Sequence, residues 1–208
     1  MIILYDYWRS SAAYRVRIAL NLAGLSYRSI PVDLVKGEHR TPENLARNPQ
    51  GLVPTLKIDE LQLTQSLAIL EYLDEVHGAG FLPRDAVGRA HVRALAYAIA
   101  METAPVCNLS VRNYAAQKSN GTVTAEHWQN HFITKGLTAF EAMLPGTGIY
   151  CHGDTITLPD ICLVPQAYNA RRVGMDLGMF PRINSILDRL ETLAAIKAAH
   201  PDQHIPKT

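Results

Sequence analysis

Apolar and polar positions alternate in two different rhythms along this chain, and the change falls near its middle. Ile2 to Tyr5 is an unbroken apolar run, the pattern of a strand buried on both faces. Val16, Ala19, Leu20 and Ala23 then recur at i, i+3, i+4, i+7, which predicts a helix closed by Gly24. Residues 26–32 return to β-rich composition, so the chain opens with a βαβ unit for which a right-handed crossover is expected. Thr41 as cap, Pro42 in the first turn and the stop at Asn48-Pro49 predict a short helix. Two strand-like runs flank Asp59-Glu60, an unusual pair for a two-residue hairpin turn, and Ser66 opens a periodic helix to about His77.

Residues 77–87, rich in turn formers, break the periodicity and read as a linker. From 88 to 200 the pattern is helical and alanine-rich, with few β-branched runs. Thr157-Leu-Pro-Asp160 has the form of a capping box, and the apolar stretch after it predicts a central helix. The expected architecture is α/β plus all-α, with an N-terminal domain over 1–80 and an all-helical domain over 88–208.

A chain of 208 residues has room for one large or two small domains. Its formal net charge of +1 gives no electrostatic reason to expect nucleic acid or an anionic membrane as partner, so any anion site must be local. Cys107, Cys151 and Cys162 form no C-x-x-C pair, which points to buried thiols in a reducing, cytoplasmic compartment. No signal-peptide pattern or membrane-length apolar run is present, so the expected protein is neither exported nor inserted. His127 and His131 stand at i, i+4 without a third ligand in view, so no metal is expected and a solvated helix face is the better reading.

A βαβ unit followed by a hairpin and a helix is the thioredoxin-like order, whose redox members carry cysteines at the start of the first helix. Here that start reads Ser10-Ser11-Ala12-Ala13, with no thiol. The helix end still offers orphan N–H groups and about half a positive charge, which favour a thiolate brought in by a ligand. Glutathione is the abundant cytosolic candidate, and a serine hydroxyl donating to its sulfur would lower the thiol pKa. The ordinary reading of Ser10 or Ser11 is an N-cap; of Arg15 and Arg17, surface or structural charge; and Arg9 is the better anion contact. Val53-Pro54 suggests a cis peptide exposing backbone to an extended ligand, although a trans proline starting an edge strand is commoner. Gln65-Ser66 supplies a hydroxyl and N–H groups for a carboxylate, or another cap.

Taken together, "WRSSAAYRVRIAL", "NPQGLVPTLKID", "QSLAILEYL" and "GDTITLPDICLVPQAYNARR" resemble the zeta class of glutathione transferases, to which maleylacetoacetate and maleylpyruvate isomerases belong. The likeness spans essentially the whole chain and implies a thioredoxin-like domain, a helical glutathione-transferase C-terminal domain and a homodimer. It implies that Ser10 or Ser11 faces the glutathione sulfur, Val53 pairs with the cysteinyl backbone, and Gln65 and Ser66 hold the γ-glutamyl end. His39 and Asn108 match further glutathione contacts. Arg172 matches an arginine that binds the carboxylate of a small acidic substrate, with Arg9 and Arg112 as weaker candidates for that task. Ala12 stands where many members have cysteine, and Cys107 where a polar amide is often found.

The implied reaction is cis-trans isomerisation of maleylacetoacetate to fumarylacetoacetate, by thiolate addition, rotation and elimination, with no metal or redox group. The enzyme must keep the sulfur ionised and stabilise carboxylate and enolate charge. A maleylpyruvate isomerase or broad conjugating transferase is the nearest alternative. A non-catalytic glutathione-binding module is more remote, and a thiol-disulfide oxidoreductase is disfavoured by Ala12 and Ala13.

Overall fold

The computed structural model describes residues 1–206, which divide into two compact units. The first runs from Met1 to Phe81 and takes back the chain from Thr192 onward; the second is Leu82–Glu191.

In the first unit, β1 (Ile2–Asp6), β2 (Tyr27–Pro31), β3 (Thr55–Ile58) and β4 (Leu61–Thr64) form one mixed sheet in the order β2-β1-β3-β4. β1 runs parallel to β2 and antiparallel to β3, and β3 pairs antiparallel with β4. The unusual turn residues Asp59 (φ 48°) and Glu60 (φ 63°) both adopt positive φ, as a two-residue hairpin twisted to match its strands demands. Helix α1 (Ser11–Leu22) is buried continuously from Ala13 to Leu20. Val16, Ile18, Ala19 and Leu20 are wholly inaccessible, each large aliphatic one contributing about 1.5–3 kcal/mol by burial. Short α2 (Pro42–Arg47) starts where Thr41 caps the Asn44 N–H at 3.3 Å, and α3 spans Ser66–His77 with left-handed Gly78 at its end.

Arg15 and Arg17 on α1 are buried, so the surface reading fails for both. The structural reading holds for Arg17, whose guanidinium grips both Asp6 carboxylate oxygens at 2.8 and 2.7 Å. Breaking a buried pair of this kind costs about 3–5 kcal/mol, because the remaining charge stays buried.

In the second unit, α4 (Ala86–Tyr97) begins where Asp85 accepts from the Gly88 N–H at 2.7 Å. It continues through a π-helical turn (Ala98–Thr103) into α5 (Ala104–Val106), followed by α6 (Leu109–Lys118), α7 (Ala125–Met143), α8 (Leu158–Arg172) and α9 (Pro181–Leu190). Gly136 on α7 lets the π-turn approach: a Cβ there would collide with Thr103. Helix α8 is the central element, buried from Leu158 to Ala167. Its wholly buried Asp160 accepts from the Thr157 N–H (2.8 Å), the Thr157 hydroxyl (2.9 Å) and the Cys151 N–H (2.9 Å).

The units part inside the linker expected over 77–87, but the C-terminal end differs from the expected 88–208 helical domain. From Thr192 onward the chain leaves the helical unit, and α10 (Ala194–Ala199) packs on α1. Asn21 donates to the Ala195 carbonyl at 3.0 Å and Arg17 to the Ala199 carbonyl at 3.0 Å. Helical periodicity identifies this last helix but carries no information about which unit it covers. Among the described residues no single helix is long and apolar enough to cross a membrane.

Candidate active site

Sheet register brings three separate segments of the first unit to one end of the sheet. Tyr5 on β1 lies opposite Thr55, the first residue of β3, and Thr55 lies opposite Thr64, the last residue of β4. The loop leaving β1 (residues 7–11), the loop entering β3 (52–54) and the head of α3 (65–66) therefore emerge side by side.

Ser10 is the N-cap of α1: its Oγ accepts from the Ala13 N–H at 3.2 Å, and its own N–H donates to the Tyr7 carbonyl at 2.8 Å. Capping and ligand chemistry are compatible here, because an oxygen accepting that N–H still has a proton to donate. Ser11 is the first helical residue, and both serines are half-buried. No acidic side chain occupies the first turn to offset the positive end of the helix. Arg9, before the cap, donates to the Tyr7 hydroxyl at 2.8 Å and lies over the Trp8 ring, 4.8 Å from its centroid.

The Val53–Pro54 peptide is cis and β3 is an internal strand, so the trans, edge-strand expectation is corrected on both counts. Pro54 stands one residue ahead of the ladder, where no N–H is needed. Neither the N–H nor the carbonyl of Val53 is hydrogen-bonded among the described residues. Gln65 has a positive φ of 68°, a conformation that costs a non-glycine residue about 1–3 kcal/mol and gathers at ligand sites. Its amide donates to Gln50 at 2.7 Å. The residue after it, Ser66, starts the helix rather than capping it; it is buried, and its Oγ accepts from Arg15 Nη1 at 3.1 Å.

His39 lies in a 3₁₀ turn (Glu38–Arg40) that precedes α2. Its Nδ1 is buried without a partner, and desolvation together with the neighbouring Arg40 holds its pKa below the ordinary value.

In the helical unit, Arg112 and Arg172 line one open cavity of about 480 Å³, with Asn113, Glu126, Gln129 and the backbone around Gly174. Arg112 donates to Gln129 Oε1, and Gln129 is almost wholly buried, so this amide fixes the guanidinium. Arg171, beside Arg172, instead pairs with Glu191 on the surface. Asn108 holds the N-cap position of α6 without a side-chain capping bond, one turn before Arg112, exposed and outside the lining of that cavity. Sequence reasoning gave Arg15 only a surface or structural role and passed over Gln50 and Gln129. Arg15 carries no periodic signal because α1 is covered on every side, and Gln129 is one polar residue among many on α7.

A mixed thioredoxin-like sheet, a capped helix end without cysteine, an unpaired backbone before a cis-proline and a separate helical unit define a protein of the glutathione-transferase class. Residues 1–75 match the glutathione S-transferase N-terminal domain family. The chain is 55% identical over 208 residues to the maleylacetoacetate isomerase of Rhizobium meliloti (strain 1021), covering 98% of each. A holo structure of maleyl pyruvate isomerase, a bacterial zeta-class glutathione S-transferase, is 40% identical with a TM-score of 0.90 over 96% of each chain. Maleylacetoacetate isomerase from Anaeromyxobacter dehalogenans 2CP-1, with glutathione in its active site, is 42% identical with a TM-score of 0.87, covering 98% of this chain and 96% of that one. The chain belongs to the maleylacetoacetate isomerase family of zeta-class glutathione transferases.

Proposed function

We propose that this protein is a glutathione-dependent isomerase that converts maleylacetoacetate to fumarylacetoacetate. The observation that carries the reading is the convergence of residues 7–11, 52–54 and 65–66 at one end of the sheet. Each presents a group suited to one part of an extended tripeptide. The buried orphan Nδ1 of His39 and the unpaired Val53 backbone fit such a ligand, because both have hydrogen-bonding capacity to place on it.

Glutathione, when bound, supplies the thiolate that adds to the cis double bond and leaves again after rotation about the resulting single bond. The chain's own task at that end is electrostatic. Ser10 or Ser11 donates a hydroxyl hydrogen bond to the sulfur, and the N–H groups opening α1 add their partial positive charge; both favour the ionised form. The Val53 N–H and carbonyl pair with the cysteinyl backbone, and Gln65 and Ser66 take the γ-glutamyl carboxylate, with the Arg15 charge behind Ser66. His39 and Asn108 are assigned further glutathione contacts. Arg172 binds a carboxylate of the diacid, and Arg112, held by Gln129, binds the other polar end and stabilises charge developing next to the carbonyl. Arg9 is a reserve anion contact.

The likeness to maleyl pyruvate isomerase gives the second reading weight, since the same chemistry applies to a shorter diacid. Turnover of maleylacetoacetate, maleylpyruvate and chlorodinitrobenzene under one glutathione concentration separates these. A kcat/KM for maleylacetoacetate about tenfold or more above the others supports the assignment; conjugation of the aromatic halide without isomerisation of either diacid overturns it.

The proposal extends to a cytoplasmic homodimer. The buried free thiols suit a reducing compartment, and exposed Leu52, Leu61 and Val76 on the first unit suit burial against a second copy. A sedimentation mass of one chain at micromolar concentration would remove the dimer.

A further inference from the structure

Arg17 does more than neutralise Asp6. Its guanidinium is wholly buried and spends its donors on three parts of the first unit. Nη1 reaches both oxygens of Asp6 at the end of β1, Nη2 donates to the Trp8 carbonyl at 3.0 Å, and Nε donates to the Ala199 carbonyl, the last residue of α10. Trp8 lies in the loop that leads into the helix carrying Arg17 itself. Arg17 follows Ser10 by seven positions, roughly 10 Å of helical rise, and helical side chains lean toward the N-terminus. This side chain therefore folds back to brace the approach to its own helix.

The brace bears on the hydroxyl end of α1. Asp6 also accepts from Ser29 Oγ at 3.4 Å, its carbonyl accepts from the Val32 N–H at 2.7 Å, and the Tyr7 carbonyl accepts the Ser10 N–H. Residues 6–10 are consequently fixed from both sides, with Trp8 held only by the guanidinium among the described contacts of its backbone. Tyr27, His204 and Tyr14, whose ring lies 5.2 Å from the Arg17 guanidinium carbon, are titratable groups near the Arg17–Asp6 pair, and burial pushes the Tyr27 phenol up to about 12. Burial, with Arg17 adding to it, lowers the His204 pKa, which disfavours a further cation beside the Arg17–Asp6 pair. A lysine there would keep the charge but not the fork that spans a carboxylate and a carbonyl at once.

We infer that Arg17 is a positioning residue for the thiol site, holding the Trp8 carbonyl so that Ser10 and the first N–H groups of α1 stay aimed at the glutathione sulfur. This rests on the function proposed above. The ion pair with Asp6 and the bond to Ala199 serve stability; the additional bond to the Trp8 carbonyl is what ties the residue to the thiol site.

The test is a titration of the thiol of bound glutathione by its ultraviolet thiolate absorbance, run beside steady-state kinetics. Wild type, Arg17→Lys, Arg17→Met and Asp6→Asn are compared, with Thr157→Ala as a destabilised control in the helical unit. Arg17→Lys and Asp6→Asn are expected to raise the bound thiol's titration by about one pH unit and to lower kcat at neutral pH about tenfold, with KM for glutathione within about twofold. Arg17→Met is expected to go further, and if it does not fold the other two decide. Thr157→Ala is expected to melt earlier without moving the titration. A shifted wild type with folded Arg17→Lys and Asp6→Asn variants that titrate alike overturns the role of Arg17 only. A wild type whose bound thiol titrates like free glutathione overturns this inference and the functional reading under it.

Discussion

The guanidinium of Arg15 donates to the hydroxyl of Ser66 at 3.1 Å, a buried link from the second turn of α1 to the first residue of α3. It places a fixed cation directly behind a hydroxyl that heads a helix, next to a residue held at positive φ. A carboxylate arriving at that helix end meets an N-terminal dipole, a polarised hydroxyl and a charge already desolvated. Arg15→Met is expected to weaken glutathione binding about tenfold, a loss of about 1.4 kcal/mol. Calorimetric titration checks it, and an unchanged Kd in a folded variant would confine Arg15 to packing.

The two arginines of the helical cavity are expected to act on the diacid and not on glutathione. Arg172→Ala should lower kcat/KM for the diacid on the order of 10–100-fold while the Kd for glutathione stays within about twofold. Gln129→Leu should reproduce part of that loss, because it releases Arg112 from its anchor. A defect limited to glutathione binding would reassign these residues.

Stability is expected to fall on the acid side of neutrality. Burial, aided by Arg40, holds the His39 pKa below 6.5; burial, aided by Arg17, does the same for His204. Between the folded values and 6.5 the unfolded chain binds more protons than the folded one, so stability rises with pH through that window. It is fully present above 6.5 and is lost as pH drops toward the folded values. Melting temperatures across this range should show the slope, and His204→Gln should flatten it; a slope of opposite sign would contradict the burial of these rings.

The cysteines are expected to be chemically quiet. Burial pushes the Cys107 thiol up to about 11, against a smaller downward pull from Arg112, and burial raises Cys151 well above the ordinary range. All three side chains are buried. Iodoacetamide at neutral pH should label the folded protein slowly and the denatured protein at all three positions, and activity should survive the treatment. Rapid inactivation by alkylation would point to a thiol the account does not use.

Much of this architecture was legible because local signals and tertiary roles coincide. The apolar run in β1, the Thr41 cap, the start of α3 at Ser66 and the Thr157–Asp160 box all fall where periodicity and capping chemistry put them. What escaped depends on neighbours distant in sequence. Arg15 and Arg17 read equally as surface or structural charges until α3, the β1 loop and α10 are packed around α1. The return of residues beyond Thr192 to the first unit leaves no periodic trace, and the sequence around Val53–Pro54 offers both isomers without choosing the cis one. Candidate site residues were legible singly, as hydroxyls at helix starts and a proline before a strand. That three of those segments meet at one end of the sheet follows only from the pairing of β1, β3 and β4.

The central claim is that the reacting sulfur comes from the ligand and not from the polypeptide. Isomerisation of maleylacetoacetate, followed by ultraviolet absorbance with glutathione, with S-methylglutathione and with neither, tests it most directly. Turnover is expected with glutathione alone, and S-methylglutathione is expected to inhibit it competitively by filling the same site without a thiol. Equal rates in all three mixtures would contradict the account.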